Sequence, residues 1–119
     1  MLNNVIIHGR LTKDVQLKQT NNGAAVVAFS VANDRFVNGE KKTDFFDAIA
    51  WNANAKFLNQ YFKKGDGIII IGRLQTRDYT DKDGNARRTV EIVVEHIEFA
   101  GGGNKADKPA ESGGLPFEV

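Results

Sequence analysis

Between Lys63 and Asp81 the chain reads KKGDGIIIIGRLQTRDYTD, and this stretch limits the possible folds more than any other. Four consecutive isoleucines, Ile68 to Ile71, follow a helix-stop signal. Branching at Cβ suits a pleated backbone, so the run predicts a strand buried on both faces, as in the core of a barrel or sandwich. Past Gly72 the pattern becomes an alternation of period two. Arg73, Gln75, Arg77 and Tyr79 fall on one face, and Leu74, Thr76 and Asp78 on the other. One strand thus leaves a core and continues as a basic, aromatic arm. A groove that tracks phosphates with cations and stacks bases on rings needs those residue types on one surface.

The 119 residues suffice for one domain with a core and are too few for two comfortable ones. Lys+Arg 16 against Asp+Glu 15 leaves a formal charge of +1, so any basic surface must come from local arrangement. The absence of cysteine excludes disulfides, thiol nucleophiles and cysteine-based zinc sites. His8 and His96 show no metal-ligand spacing. The opening MLNNVIIHGR lacks the charged start and long apolar run of a signal peptide, and no stretch approaches transmembrane length. The expectation is a soluble, cytoplasmic protein with no membrane association and no cofactor.

Asn4 to Leu11 alternates around Val5, Ile6 and Ile7 and reads as a first strand, with Gly9 marking a bulge or a close backbone approach. Asn21-Asn22-Gly23 is a turn signal. Ala24 to Asn33 follows as a second strand, with Val27, Phe29 and Val31 on the core face and Ala28, Ser30 and Ala32 on the other. Asn38-Gly39 then signals a long hairpin whose stem carries Arg35, Lys41 and Lys42. The third strand, Asp44 to Trp51, places Phe45, Asp47, Ile49 and Trp51 on one face and Phe46, Ala48 and Ala50 on the other. A charge between two large aromatics argues against a sealed interior on the first face, so the small-residue face is assigned to the core.

Asn52 or Asn54 is placed to cap one short helix with an apolar stripe of Phe57, Leu58, Tyr61 and Phe62, ended by Lys63, Lys64 and Gly65. Asp81 to Asn85 is a hairpin loop; it lacks the glycine and glutamate spacing of a calcium-binding loop. Arg87 to Phe99 forms the fifth strand, half buried, with Val90, Ile92 and Val94 on one face. From Gly101 the composition turns to glycine and polar residues, GGGNKADKPAESGGLPFEV, which leaves little to bury and predicts a disordered tail.

Three strands, a helix and two further strands match the element order of the five-stranded OB-fold, an all-β Greek-key barrel with one short helix. Fold alone does not give function. Phe45, Trp51 and Tyr79 are also compatible with core or interface packing. A nuclease reading would need Asp44 and Asp47 to share a metal, yet a separation of three in a strand puts them on opposite faces. A third class is an OB module that binds protein and serves assembly of the replication machinery.

VIIHGRLTKD, NNGAAVVAFSVA, TDFFDAIAW, FLNQYFKKGDGIIIIGRLQTRDYTDKDG and TVEIVVE closely resemble the bacterial and phage-type single-stranded DNA-binding proteins over residues 2 to 99. The resemblance implies an OB-fold domain over residues 1 to 100 that binds and protects single-stranded DNA in replication, recombination and repair, without enzymatic activity. By position, the family's stacking aromatics correspond to Phe36, Phe45, Trp51 and Tyr79. Its phosphate contacts correspond to Arg10, Lys13, Arg35, Lys56, Lys64, Arg73, Arg77, Arg87 and Arg88. Two departures are visible: Val15 stands where a proline is usual, and Asp47 puts an acid between the stacking rings of the third strand. The resemblance also implies a homotetramer whose first strands pair across subunits. Leu115-Pro116-Phe117 looks like the family's tip for replication and recombination partners, although Glu118 and Val119 follow it.

Overall fold

The computed structural model describes residues 1–102. Its elements are β1 (Val5–Leu11), β2 (Lys18–Gln19), β3 (Ala25–Val37), β4 (Glu40–Trp51), α1 (Asn52–Tyr61), β5 (Asp66–Thr80) and β6 (Ala86–Gly102). The strands are ordered β1-β5-β6-β4-β3-β2, and β1 also pairs with β3 through Arg10 opposite Ala32 and Leu11 opposite Val31. That second pairing closes the sheet into a barrel. Every pairing is antiparallel except β4 with β6, where Ala48 lies beside Ile92 and Ile49 beside Val93. Without the two-residue β2, the five long strands form the expected OB-fold, with α1 between the third and fourth of them. None of the described helices is long and apolar enough to cross a membrane.

The interior is filled by one side of each strand. Leu11, Val27, Val31, Ala48, Ala50, Ile68, Ile70, Ile92, Val94 and Ile97 are buried there, together with Ala55, Leu58 and Phe62 at the helical end. Phe62 stacks on Phe99 at a centroid distance of 4.5 Å, and Phe57 meets both rings edge-on. The isoleucine run departs from expectation. Ile68 and Ile70 are fully buried, but Ile69 and Ile71 are only half buried. They face outward between β1 and β6, and within one chain no second layer covers them.

Two glycines mark where backbones come closest. A Cβ on Gly9 would stand 2.2 Å from the Ala32 carbonyl oxygen, at the β1–β3 closure. One on Gly72 would stand 2.1 Å from the Val93 carbonyl oxygen. Gly72 lies opposite Val94 while Ile71 lies opposite His96, so Glu95 is left over as a bulge residue. The bulge exchanges the two faces of β6: Ile92 and Val94 point inward before it, Ile97 after it. It also explains why the predicted Val90-Ile92-Val94 face is only partly internal. Val90 belongs to the part of β6 that has left the barrel, and it is exposed.

The ends of the elements differ from the sequence reading in physically instructive ways. Neither Asn52 nor Asn54 caps α1. The N-cap position is Trp51, without a side-chain hydrogen bond. Instead the Ala25 N–H donates to Asn52 Oδ1 (3.3 Å), and Asn54 Nδ2 donates to the Val94 carbonyl (3.4 Å), tying the helix to the barrel. Gly65 has the left-handed conformation expected of it, but in the turn before β5, since the helix already ends at Tyr61 with Phe62 extended. Ahead of β1, Asn3 extends the ladder with its side chain: Nδ2 donates to the Leu74 carbonyl (2.9 Å) and Oδ1 accepts from the Leu74 N–H (2.8 Å).

Replacing Gly72 by alanine should therefore destabilise the barrel by about 1–3 kcal/mol, because the added methyl meets fixed backbone rather than a side chain that can move aside. Urea denaturation would show this as a lower midpoint with an unchanged slope. A midpoint equal to that of the parent would mean the β5–β6 crossing is looser than described.

Candidate nucleic-acid interface

Strand register decides which side chains share the outer surface. Along the β3–β4 pair, Ala32 opposes Phe45, Ser30 opposes Asp47, Ala28 opposes Ile49 and Phe36 opposes Lys41. These pairs point away from the interior. On the β5–β6 pair, Gln75 opposes Glu91, Arg77 opposes Thr89 and Tyr79 opposes Arg87, again on the outer side. Since β4 runs beside β6, the two surfaces join. Phe36, Phe45, Trp51 and Tyr79 are accordingly brought to one face of one sheet. Their exposures are 72%, 64%, 39% and 45%, so the core and interface-packing alternative within this chain does not apply to them.

Small neighbours keep those rings accessible. Ala28, Ser30 and Ala32 are the residues of β3 beside Ile49, Asp47 and Phe45, so the side chains across from the ring-bearing face of β4 are small. On the same outer side, where β3 and β4 meet the β5–β6 pair, lies a groove of about 320 Å³ lined by Thr12, Lys13, Asp14, Ser30, Asp47, Arg77, Thr89 and Glu91. Of the predicted cations, Lys13 and Arg77 line it directly.

Each predicted arginine is engaged by a carboxylate. Arg10 Nη1 meets Asp34 Oδ2 at 2.9 Å, Arg35 Nε meets Asp44 Oδ2 at 2.7 Å, and Arg73 Nε lies 4.0 Å from Glu95. Arg77 Nε reaches Glu91 Oε1 at 3.3 Å, Arg87 Nε reaches Asp81 Oδ2 at 2.8 Å, and Arg88 Nε reaches Asp78 Oδ1 at 3.0 Å. Lys13, Lys56 and Lys64 have no ion pair among the described residues. Arg10, Arg73, Arg77 and Arg87 lie on the ring-bearing side. Arg35 and Arg88 do not: by pleat they project from the backs of their hairpins, Arg35 opposite Lys42 and Arg88 opposite Asp78. Lys56 lies on α1, and the backbone N–H of Lys64 donates to Asp14. Lys41, absent from the sequence-derived set, faces outward directly across from Phe36. The Asn-Gly turn holds the clue to it, since it fixes which stem residue opposes the phenylalanine.

The carboxylates divide their oxygens between structure and charge. Asp34 Oδ1 accepts from the Thr43 hydroxyl (2.7 Å) and Oδ2 from Arg10; the Thr43 bond and then Arg10 hold its pKa below the usual carboxylate value. Asp81 Oδ1 accepts from the N–H groups of Asp83 and Asn85 and Oδ2 from Arg87. The Arg87 bond is the foremost cause of its lowered pKa. Asp44 correspondingly raises the pKa of Arg35. Asp44 is thus held on the back of the hairpin while Asp47 is exposed on its front, so the two cannot share a metal ion.

A closed OB barrel whose outer sheet carries separated, exposed rings among cations defines the class structurally: a five-stranded OB-fold module with an aromatic, cation-rimmed outer face. Comparison with known proteins is specific. Residues 2–100 match the single-strand binding protein family, and the chain belongs to it. A Bacillus cereus protein named single-stranded DNA-binding protein is 42% identical over 102 residues, which cover 83% of this chain and 60% of that protein. Single-stranded DNA-binding protein A of Bacillus subtilis is 41% identical over 83% of this chain and 59% of its own length. Single-stranded DNA-binding protein 1 of Streptococcus pyogenes is 38% identical over 97% of this chain and 88% of its own length. The chain therefore spans about 60% of the length of the Bacillus relatives. The predicted tip Leu115-Pro116-Phe117 lies outside the described residues.

The lowered carboxyl pKa values give a pH dependence with a definite sign. A depressed folded-state pKa contributes stability that is present above the unfolded value and lost as pH falls through the folded one. Asp34→Asn and Asp81→Asn keep an Oδ1 acceptor and remove the titration, so their thermal midpoints should fall less than the parent's between about pH 5 and pH 2. Identical acid limbs in all three proteins would count against these pairs persisting in solution.

Proposed function

We propose that the protein binds single-stranded DNA with little sequence preference and protects it during replication, recombination and repair. The observation that supports this most is the placement of Phe36, Phe45, Trp51 and Tyr79 on one outer sheet face, exposed and apart from one another. Every base has a flat π-face, so stacking on such rings is tolerant of sequence. Arg10, Lys13, Lys41, Arg73 and Arg87 surround the rings and supply attraction for phosphates. The arginines themselves are half exposed, 49% for Arg10 and 58% for Arg87, although Asp34 and Asp81 are only 25% and 21% exposed. Pairs at the surface contribute only about 0–1 kcal/mol, so a phosphate reaching the open side of the guanidinium can compete with the carboxylate. Arg35, Arg88, Lys56 and Lys64 are at most peripheral to this path.

A homotetramer completes the proposal. β1 pairs with β3 only at Arg10 and Leu11, so its Val5–Gly9 edge is open apart from the Asn33 side chain, which donates to the His8 carbonyl at 2.8 Å. Ile6, 62% exposed, extends an apolar outer row with Ile71 and Ile69. An open strand edge beside exposed isoleucines is suited to pairing with a second copy. Recruitment of replication or recombination proteins by Leu115-Pro116-Phe117 is a further, sequence-based part of the proposal.

Titration with oligo-dT should quench the emission of Trp51, the single tryptophan. Alanine at Phe45 or Trp51 should each weaken binding by about 1–3 kcal/mol, and affinity should fall with rising salt at a slope of about −0.7 per phosphate neutralised. Unchanged affinity in both folded variants would refute the stacking face. Retention of protein partners without any DNA binding would instead favour the assembly-module reading.

Light scattering should report a mass of about four chains, and Ile6→Glu should reduce it, because a charge on that row opposes burial. A parent protein that is monomeric at micromolar concentration would refute the assembly.

A further inference from the structure

Glu91 is out of place on a surface meant for phosphates. It is only 8% exposed and lines the outer groove, where a bare carboxylate repels a polyanion. Its neighbour gives it a purpose. Glu91 Oε1 accepts from Arg77 Nε at 3.3 Å, and Arg77 Cζ stands 5.8 Å from the centroid of the Tyr79 ring. Register places Glu91 opposite Gln75 and Tyr79 opposite Arg87, so the three side chains form a diagonal row on the outer face.

Burial separates this ion pair from the others. Asp78 and its partner Arg88 are both well exposed, and such pairs exchange readily with other ions. Removing Arg77 from Glu91 would leave a buried carboxylate without its counter-charge, which is strongly unfavourable. Arg77 is therefore the arginine least able to transfer to a phosphate. With its Nε committed to Glu91, its guanidinium is held near the tyrosine as a cation–π contact, and the ring is still 45% exposed.

We propose that Glu91 is a positioning residue for the stacking site, holding Arg77 against one face of Tyr79 so that the ring presents its other face to a base. Arg77 then supports the ring and is not a phosphate contact, which revises its sequence-derived assignment. The inference rests on Tyr79 stacking a base, as proposed above.

The two ideas make opposite predictions for removal of the acid. General electrostatics has Glu91→Ala tighten binding, since a negative charge leaves the groove; a positioning role has it weaken binding. The test is oligo-dT titration of the parent, E91A, E91Q, R77A, Y79A and the E91A/Y79A double variant at several salt concentrations, with thermal unfolding to verify folding. Y79A should lose between about 5-fold and 150-fold in affinity. E91A should show a loss of the same kind, and E91Q, which keeps an acceptor for Arg77 Nε, should recover most of it. The double variant should bind no more weakly than Y79A, because both changes act through one ring. R77A should weaken binding while leaving the salt slope unchanged.

Tighter binding by E91A, losses that multiply in the double variant, or a salt slope shallower by about 0.7 in R77A would each overturn the proposal. If E91A does not fold, the R77A slope and the E91Q affinity decide it: a shallower slope, or E91Q binding more tightly than the parent, refutes it. Y79A binding like the parent would refute the stacking role itself. That result differs from a weakened Y79A beside an unaffected E91A, which would refute only the positioning role.

Discussion

Barrel closure depends on a contact only two residue pairs long. Arg10 opposite Ala32 and Leu11 opposite Val31 turn an open six-stranded sheet into a tube, and Gly9 permits it by presenting no Cβ to the Ala32 carbonyl. The orientation of side chains follows. Once the tube is shut, one side of each pleat faces a sealed interior and the other faces water. Leu11, Val31, Ile68 and Ile70 become the core, while Phe45, Asp47 and Trp51 are turned outward by the same parity that buries Ala48 and Ala50. The aromatic face is thus a consequence of packing the small residues of β4 inside.

That parity is why much of the fold and the ring face could be read from the sequence. Alternation in Asp44 to Trp51 separates small from large side chains, and an acid between the large ones marks the wet side. The glycines and Asn-Gly turn locate the corners and the hairpin. What stayed hidden depends on contacts distant in sequence. The bulge at Glu95 arises only when β6 meets Gly72 of β5, so no local pattern in β6 announces that Ile97 succeeds Val94 on the inner face. The two-residue β2 is too short to have a period of its own. Asn52 and Asn54 have the chemistry of caps, but the barrel offers them backbone partners on β3 and β6 that local sequence does not reveal. The arginines were recognisable as cations and not as members of ion pairs, because partners such as Arg10 and Asp34 are 24 residues apart.

Near-neutral net charge and the proposed surface for polyanions are reconciled by local charge. With Lys+Arg 16 and Asp+Glu 15, the protein cannot attract DNA through its overall field. On the proposed function attraction would be local: direct at Lys13, which has no ion pair among the described residues, and at the paired arginines by exchange, a phosphate replacing a carboxylate at a guanidinium that is already oriented. Holding a guanidinium in a bidentate or single-bond pair restricts its rotamers beforehand, so less side-chain entropy is lost when the anion changes. The gain per contact is correspondingly modest, since the arginine gives up one anion for another. In the proposed complex such replaceable phosphate contacts would leave base stacking as the larger part of the interaction.

The hairpins beyond the barrel show why the pairs are distributed on both surfaces. Before Phe45 in β4 and after Leu74 in β5 there is no interior to fill, and Val37, Leu74 and Val90 remain exposed. A two-stranded ribbon without a core is marginal in water and needs cross-strand interactions to keep its shape. On the backs of the ribbons Arg35 pairs with Asp44 and Arg88 with Asp78; on the fronts Asp34 joins Thr43 to Arg10, and Asp81 joins its loop to Arg87. A phosphate arriving on the ring side, as proposed, would reach only the front pairs. In the proposed complex the back pairs, together with the Oδ1 hydrogen bonds of Asp34 and Asp81, would stay in place and keep Phe36 and Tyr79 presented while Arg10 and Arg87 change partner. The pleat thus keeps the back pairs away from the ring face, and on that face burial of Glu91 sets the Arg77 pair apart from those of Arg10 and Arg87.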